Sequence, residues 1–272
     1  MRQPRPVRLR RPTAGLPLRA IAPNALTALA LCSGLTGVRF AIAQDWHMAV
    51  VMILVASALD GVDGQVARLL RGTSRFGAEL DSLSDAISFG VAPALILYLW
   101  SLTNAQRFGW ICALLFAVFC AMRLARFNAQ IDATEQPRKA AGYLTGVPAP
   151  AGAIGAMLPL YLSFIAEDGW LPQWSGLRQW WLVAPWMAFI ALLMISSIAT
   201  FSWTSLRLRR NIRFEALAVI VAIGVALISA PWVTLASVCV IYLALIPFSA
   251  RSYARIRRQR ANMSAGSPPA VP

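Results

Sequence analysis

Between Asp60 and Asp85 the chain reads DGVDGQVARLLRGTSRFGAELDSLSD, which sets aspartates, an arginine and spaced glycines inside an otherwise apolar stretch. Asp60 and Asp63 lie one helical turn apart, and the same face continues through Gly64, Ala67 and Arg68. Gly77, Asp81 and Asp85 follow at four-residue steps and form a second stripe. Four carboxylates brought together repel one another unless cations sit between them. An all-oxygen donor set suits hard divalent ions, Mg²⁺ or Mn²⁺. Arg68, beyond the carboxylates, is placed to hold a phosphate oxygen.

Two helices must carry these stripes, and composition says where they stand. Of 272 residues, 58% are hydrophobic and only 13% charged, against an apolar share of about 45 to 50% in soluble domains. The chain reads as all-α, a polytopic membrane helix bundle. Ionisable side chains at membrane depth are costly and point to function. Apolar runs at residues 24–43, 47–70, 77–100, 108–128, 147–166, 181–201, 214–229 and 232–250 predict eight transmembrane helices, the last two as a tight hairpin. Residues 1–19 read as a basic cytoplasmic arm, 20–250 as the transmembrane domain and 251–272 as a basic, flexible cytoplasmic tail. A cleaved signal peptide competes for the first run, with Ala41-Ile-Ala43 as its cleavage site, but Arg39 interrupts the run and favours a retained helix.

The net charge of +14 is gathered in small arginine groups at the ends of apolar runs, with Lys139 the only lysine. That is the positive-inside pattern rather than a nucleic-acid surface. With a cytoplasmic N-terminus, Arg2 to Arg11, Arg71, Arg123, Arg126, Arg138, Lys139, Arg207 to Arg213 and Arg251 to Arg260 share the cytoplasmic side, and only Arg39, Arg107 and Arg178 oppose them. The same arginines favour contact with anionic membrane lipids. At 1.5 Å per residue, Asp60 to Arg71 covers roughly 16 Å and Gly77 to Asp85 roughly 12 Å, so the two stripes meet near the cytoplasmic face. The cysteines lie singly, without metal or disulfide spacing, and His47 stands alone at a loop end. Pro148, Pro150 and Pro159 break or kink the fifth run.

Written as D-x2-D-G-x2-A-R-x8-G-x3-D-x3-D, the stretch resembles the signature of the CDP-alcohol phosphatidyltransferases at every defined position: Asp60, Asp63, Gly64, Ala67, Arg68, Gly77, Asp81 and Asp85. The resemblance implies a six-helix membrane core that displaces CMP from a CDP-linked lipid with two divalent ions, and a homodimer. It makes Asp60, Asp63, Asp81 and Asp85 metal ligands, Asp85 also the general base, and places Gly64, Ala67, Arg68 and Gly77 against the CDP-lipid. The helix pair after Arg213 goes beyond that core and is expected to leave the site untouched.

The alcohol that attacks is a separate question. Arg123-Leu-Ala-Arg126-Phe-Asn128, Gly146-Val-Pro148-Ala-Pro150-Ala and Pro23-Asn24 followed by Leu26-Thr27 resemble segments of the bacterial, membrane-embedded phosphatidylserine synthase branch of that family. This implies transfer from CDP-diacylglycerol to L-serine in a bacterial inner membrane. Arg123, Arg126 and Asn128 are candidates for binding the serine carboxylate, or anchors of a helix end. Glycerol 3-phosphate, inositol phosphate or choline are alternative acceptors. A cation transporter is the alternative from another class, but it would need acidic residues on several helices, and here they are confined to one hairpin.

Overall fold

The computed structural model describes residues 18–70, 74–131, 143–172, 175–196, 198–201 and 213–265. The arginines expected at 2–11, 71, 138 and 207–210, with Lys139, lie outside the described residues. The helices are α1 (Leu18–Ile42), α2 (Trp46–Leu69), α3 (Arg75–Asp85), α4 (Ala92–Trp100), α5 (Gln106–Ile131), α6 (Ala149–Ala156), α7 (Leu158–Glu167), α8 (Trp180–Ile195), α9 (Arg213–Ser229) and α10 (Pro231–Ala265). Among the described residues, six spans are long and apolar enough to cross a membrane: Ile21–Ile42, Trp46–Leu69, Arg75–Trp100, Leu102–Ala129, Ala149–Glu167 and Pro231–Ser249. The protein is a multi-pass membrane helix bundle. Two shorter helices, α8 and α9, complete the expected order of eight apolar segments.

Local chemistry explains several departures from simple runs. The third span is one rod in which a π-helical turn, Ala86–Val91, joins α3 to α4. The fifth breaks at Met157, and its prolines lie at helix starts: Pro148 caps α6, Pro150 opens it, and Pro159 opens α7. A proline there sacrifices no helical hydrogen bond. The sixth ends at Ile195, short of the expected Phe201. Its continuation, β2 (Ala199–Phe201), instead pairs antiparallel with β1 (Tyr143–Thr145), Leu144 opposite Thr200. Helix α10 runs on past the apolar limit near residue 250 to Ala265.

The core lies between α2, α4, α5, α6, α7 and α8, where Ile53, Phe89, Ile96, Leu97, Phe116, Leu160 and Met187 are fully buried. Small residues let helices close on one another. A Cβ on Gly34 would lie 2.9 Å from the Ser88 Cα, so only glycine allows α1 to approach the π turn this closely. All four cysteines are free; Cys120 and Cys239 are buried packing residues, Cys112 is half-buried and Cys32 is exposed. His47 sits in the first turn of α2 with its ring stacked 3.9 Å from Phe164, more engaged than a loop-end residue.

Candidate active site

Three helices build the site, and each is pinned by a short-range device. Ser74 caps α3: its hydroxyl accepts from the Gly77 amide at 3.0 Å, which fixes the turn that presents Gly77 and Asp81. Thr27 on α1 donates its hydroxyl to the Asp63 carboxylate at 2.7 Å. The Ser84 and Ser88 hydroxyls donate to the Thr27 and Ala30 carbonyls at 3.2 and 3.3 Å. Helix α1 is therefore stitched to both α2 and α3, and the two acidic stripes cannot slide independently.

One carboxylate oxygen from each of Asp60, Asp63 and Asp81 lies within 4.8 Å of the others. Asp63 is buried, 4% exposed, while Asp60 and Asp81 are half-buried. Asp85 lies one turn beyond Asp81, on the same stripe of α3 and electrostatically coupled to Asp60. The π turn begins at the residue after it. Such single wide turns recur at functional sites because they re-aim the side chains beside them.

Beside the aspartates opens a cleft of about 220 Å³, lined by Asp63, Gly64, Ala67, Arg68, Gly77 and Asp81 and closed by Pro23, Asn24 and Thr27 of α1. The cleft wall thus holds every residue of the sequence signature except Asp60 and Asp85, and Asp60 joins Asp63 and Asp81 in the acidic cluster. A Cβ on Gly64 would meet nothing within 4 Å, so this glycine keeps the cleft open. At Gly77 a Cβ would lie 2.8 Å from the Asn24 Oδ1, so that glycine lets α1 seat against α3. Asn24, Thr27, Ser74 and Ala78 complete the wall and were not among the expected site residues. The Pro23-Asn24 and Leu26-Thr27 pattern was the available signal for the first two.

The three residues expected at the acceptor side separate. Arg123 is half-buried and interacts electrostatically with both Asp60 and Asp85. Its Nε is buried and has no hydrogen-bond partner among the described residues. Arg126 instead donates Nη1 to the Ile195 carbonyl at 3.0 Å, closing the C-terminus of α8. Asn128 donates to the Ser82 hydroxyl at 2.8 Å and ties the end of α5 to α3. The C-terminal hairpin, expected to leave the site untouched, adds no residue to the cleft wall; α10 seats Cys239 against the Ile154 carbonyl of α6 at 3.8 Å.

Three clustered carboxylates beside a cleft in a membrane helix bundle are a donor set suited to a divalent cation. Residues 20–183 match the CDP-alcohol phosphatidyltransferase family, and residues 213–247 match the CDP-alcohol phosphatidyltransferase 2 family. The chain belongs to the CDP-alcohol phosphatidyltransferase family. It is 38% identical over 232 residues to a Mycobacterium bovis protein, covering 85% of this chain and 79% of that protein. A Mycobacterium leprae protein is 37% identical over 229 residues, 84% of this chain and 74% of that protein. A Helicobacter pylori protein is 41% identical over 140 residues, 52% of this chain and 57% of that protein. Each of these relatives is named CDP-diacylglycerol–serine O-phosphatidyltransferase.

Proposed function

We propose that this enzyme transfers the phosphatidyl group of CDP-diacylglycerol to L-serine, giving phosphatidylserine and CMP. The observation that carries the reading is the Asp60, Asp63 and Asp81 cluster, oxygens within 4.8 Å, set against a cleft whose wall holds Gly64, Ala67, Arg68 and Gly77. The names of the mycobacterial and Helicobacter relatives support serine as the acceptor.

The donor set fits a divalent-metal centre. Three carboxylates this close need positive charge between them, and the one Thr27 hydrogen bond to Asp63 is neutral. Asp60, Asp63, Asp81 and Asp85 would hold the ions, and oxygen ligands favour Mg²⁺ or Mn²⁺. When bound, two such ions supply Lewis-acid charge to the diphosphate and to the departing CMP.

The chain's own residues do the rest. Arg68 holds a phosphate oxygen, and the open surface at Gly64 admits the diphosphate close to the α2 backbone. Asp85 takes the proton of the serine hydroxyl; that oxygen bonds to the phosphorus carrying diacylglycerol, and the bond to the bridging oxygen breaks with its electron pair leaving on CMP. Arg123, within electrostatic reach of Asp60 and Asp85, meets the serine carboxylate. The arginine distribution supports a cytoplasmic site with both termini on that side of an inner membrane. A homodimer, implied by the family resemblance, belongs to the same reading.

The test is an acceptor panel. Purified protein is given CDP-diacylglycerol, Mn²⁺ or Mg²⁺, and labelled serine, glycerol 3-phosphate, inositol phosphate or choline. Labelled lipid from serine, matched by CMP release, is the expected result. Labelling from another alcohol instead would replace serine, and ion movement across vesicles without labelling would overturn the enzyme reading.

A further inference from the structure

Helix α3 carries the second acidic stripe on a segment of 11 residues, and each flank of that stripe is tied to a different neighbour. Successive helical residues turn by about 100°, so Ser82 lies roughly 100° to one side of Asp81 and Ser84 roughly 60° to the other. On the Ser84 side the grip comes from α1: Ser84 donates to the Thr27 carbonyl at 3.2 Å, and the Thr27 hydroxyl donates to Asp63 at 2.7 Å. On the Ser82 side it comes from α5: the Asn128 side-chain amide donates to the Ser82 hydroxyl at 2.8 Å. The Ser82 hydroxyl donates in turn to the Ala78 carbonyl at 3.0 Å. Ala78 stands in the wall of the cleft.

The Asn128 link is built from both sides. It joins side chains 46 positions apart, and the hydroxyl between them both accepts and donates, so each bond polarises the other. A serine bonded back to the carbonyl one turn earlier has its oxygen fixed along the helix, already aimed for the incoming amide. Eight residues on in the same rod and eight back along α5, a Cβ on Gly90 would lie 3.1 Å from the Cys120 side chain, so α5 runs antiparallel along this flank. Asn128 itself does not line the cleft. The flank it holds carries a load. Oxygens of Asp60, Asp63 and Asp81 lie within 4.8 Å and repel one another until a cation arrives, and Asp81 is the one that α3 contributes.

We propose that Asn128 is a positioning residue for the metal-bearing stripe: by holding Ser82 it stops α3 from rolling about its ties to α1, and so keeps Asp81 at the spacing from Asp60 and Asp63 that a divalent cation requires. This rests on the reading of the aspartates as cation ligands. It gives the last residue of the Arg123-Leu-Ala-Arg126-Phe-Asn128 segment a task on the metal side of the site, without contact with the acceptor.

The experiment measures Mn²⁺ binding by paramagnetic resonance on full-length wild type, Asn128→Ala, Ser82→Ala, the double variant and Ser82→Thr, with the serine KM at saturating Mn²⁺ as a second readout. Met122→Ala, on the exposed side of α5, serves as control. The expected result is a Mn²⁺ Kd raised by about 3- to 10-fold in Asn128→Ala and in Ser82→Ala alike, with no further change in the double variant. Ser82→Thr keeps the hydroxyl and is expected to bind as wild type, and the serine KM is expected to stay unchanged throughout. A lower Tm at unchanged Mn²⁺ affinity, or independent effects of the two substitutions, would overturn the proposal. So would a serine KM raised in Asn128→Ala but not in Ser82→Ala, which would make Asn128 an acceptor ligand. Should Asn128→Ala fail to fold, the contrast between Ser82→Ala and Ser82→Thr decides the matter. Wild type that binds no Mn²⁺ would remove the cation reading and the proposal together, whereas equal binding by wild type and both single variants would remove the proposal alone.

Discussion

The Thr27 hydroxyl and the Asp63 carboxylate, 36 residues apart in sequence, meet at 2.7 Å and lock the first helix to the acidic hairpin. The Pro23 carbonyl lies 3.1 Å from the same hydroxyl, so the shorter and charge-assisted bond takes its single proton. A hydrogen bond to a charged partner contributes about 1.5 to 3 kcal/mol. Thr27→Val keeps the shape and removes the bond. It is expected to raise the Mn²⁺ concentration for half-maximal transfer about 10-fold or more, with Thr27→Ser close to wild type. A metal titration of activity reads this directly, and an unchanged midpoint in Thr27→Val would remove Thr27 from the site.

Asp85 carries the proton transfer in this account, so Asp85→Asn should lower transfer by at least about 10²-fold while CDP-diacylglycerol still binds. Asp85 is not among the residues that line the cleft proposed for the CDP-lipid, which is why binding survives. Turnover near the wild-type rate would exclude Asp85 as the base.

The two arginines at the end of α5 should give opposite phenotypes. Arg126 closes the end of α8 at the Ile195 carbonyl, and Arg126→Ala is expected to cost about 1 kcal/mol, or a Tm lower by about 2 to 4 °C. Arg123→Ala, which removes a cation that interacts electrostatically with Asp60 and Asp85, is expected to raise the acceptor KM with a smaller effect on Tm. Thermal melts and serine saturation curves on both variants check the assignment; a serine-selective KM rise in Arg126→Ala alone would reverse it.

Glycines at the site divide by what surrounds them. Gly64→Ala meets no neighbour within 4 Å and should fold as wild type while weakening CDP-diacylglycerol binding at the cleft. Gly34→Ala drives a Cβ to 2.9 Å from the Ser88 backbone and should cost about 1 to 3 kcal/mol of stability, since overpacking between two backbones cannot relax. Melting temperatures and donor KM for the pair separate the two effects.

Much of this was legible because it rests on short periods. A four-residue step places Asp81 beneath Asp85, and 20-residue apolar runs mark the spans, so the acidic hairpin could be drawn from the sequence and its signature residues assigned to one site. What was hidden depends on distant partners. Nothing local announces that residues after Ile195 leave the helix to pair Ala199–Phe201 with Tyr143–Thr145. Nothing local announces the π turn after Asp85 either; within it Gly90 fits against Cys120, where a Cβ would lie 3.1 Å from that side chain. Arg123 and Arg126 share a motif and one helix end, yet only the fold shows that one turns to the aspartates and the other to a carbonyl. Tyr242 sits on a stripe visible as Ala236, Cys239, Ile246 and Ser249, but the stripe says that a face is buried and not against what.

The central claim is that Asp60, Asp63, Asp81 and Asp85 hold divalent cations for phosphatidyl transfer. Mn²⁺ binding by paramagnetic resonance, on purified wild type and Asp81→Asn with CDP-diacylglycerol present, tests it most directly. Two bound ions per chain in wild type, with loss of at least one and of CMP release in Asp81→Asn, is the predicted result. Equal Mn²⁺ binding in the two proteins would contradict the claim.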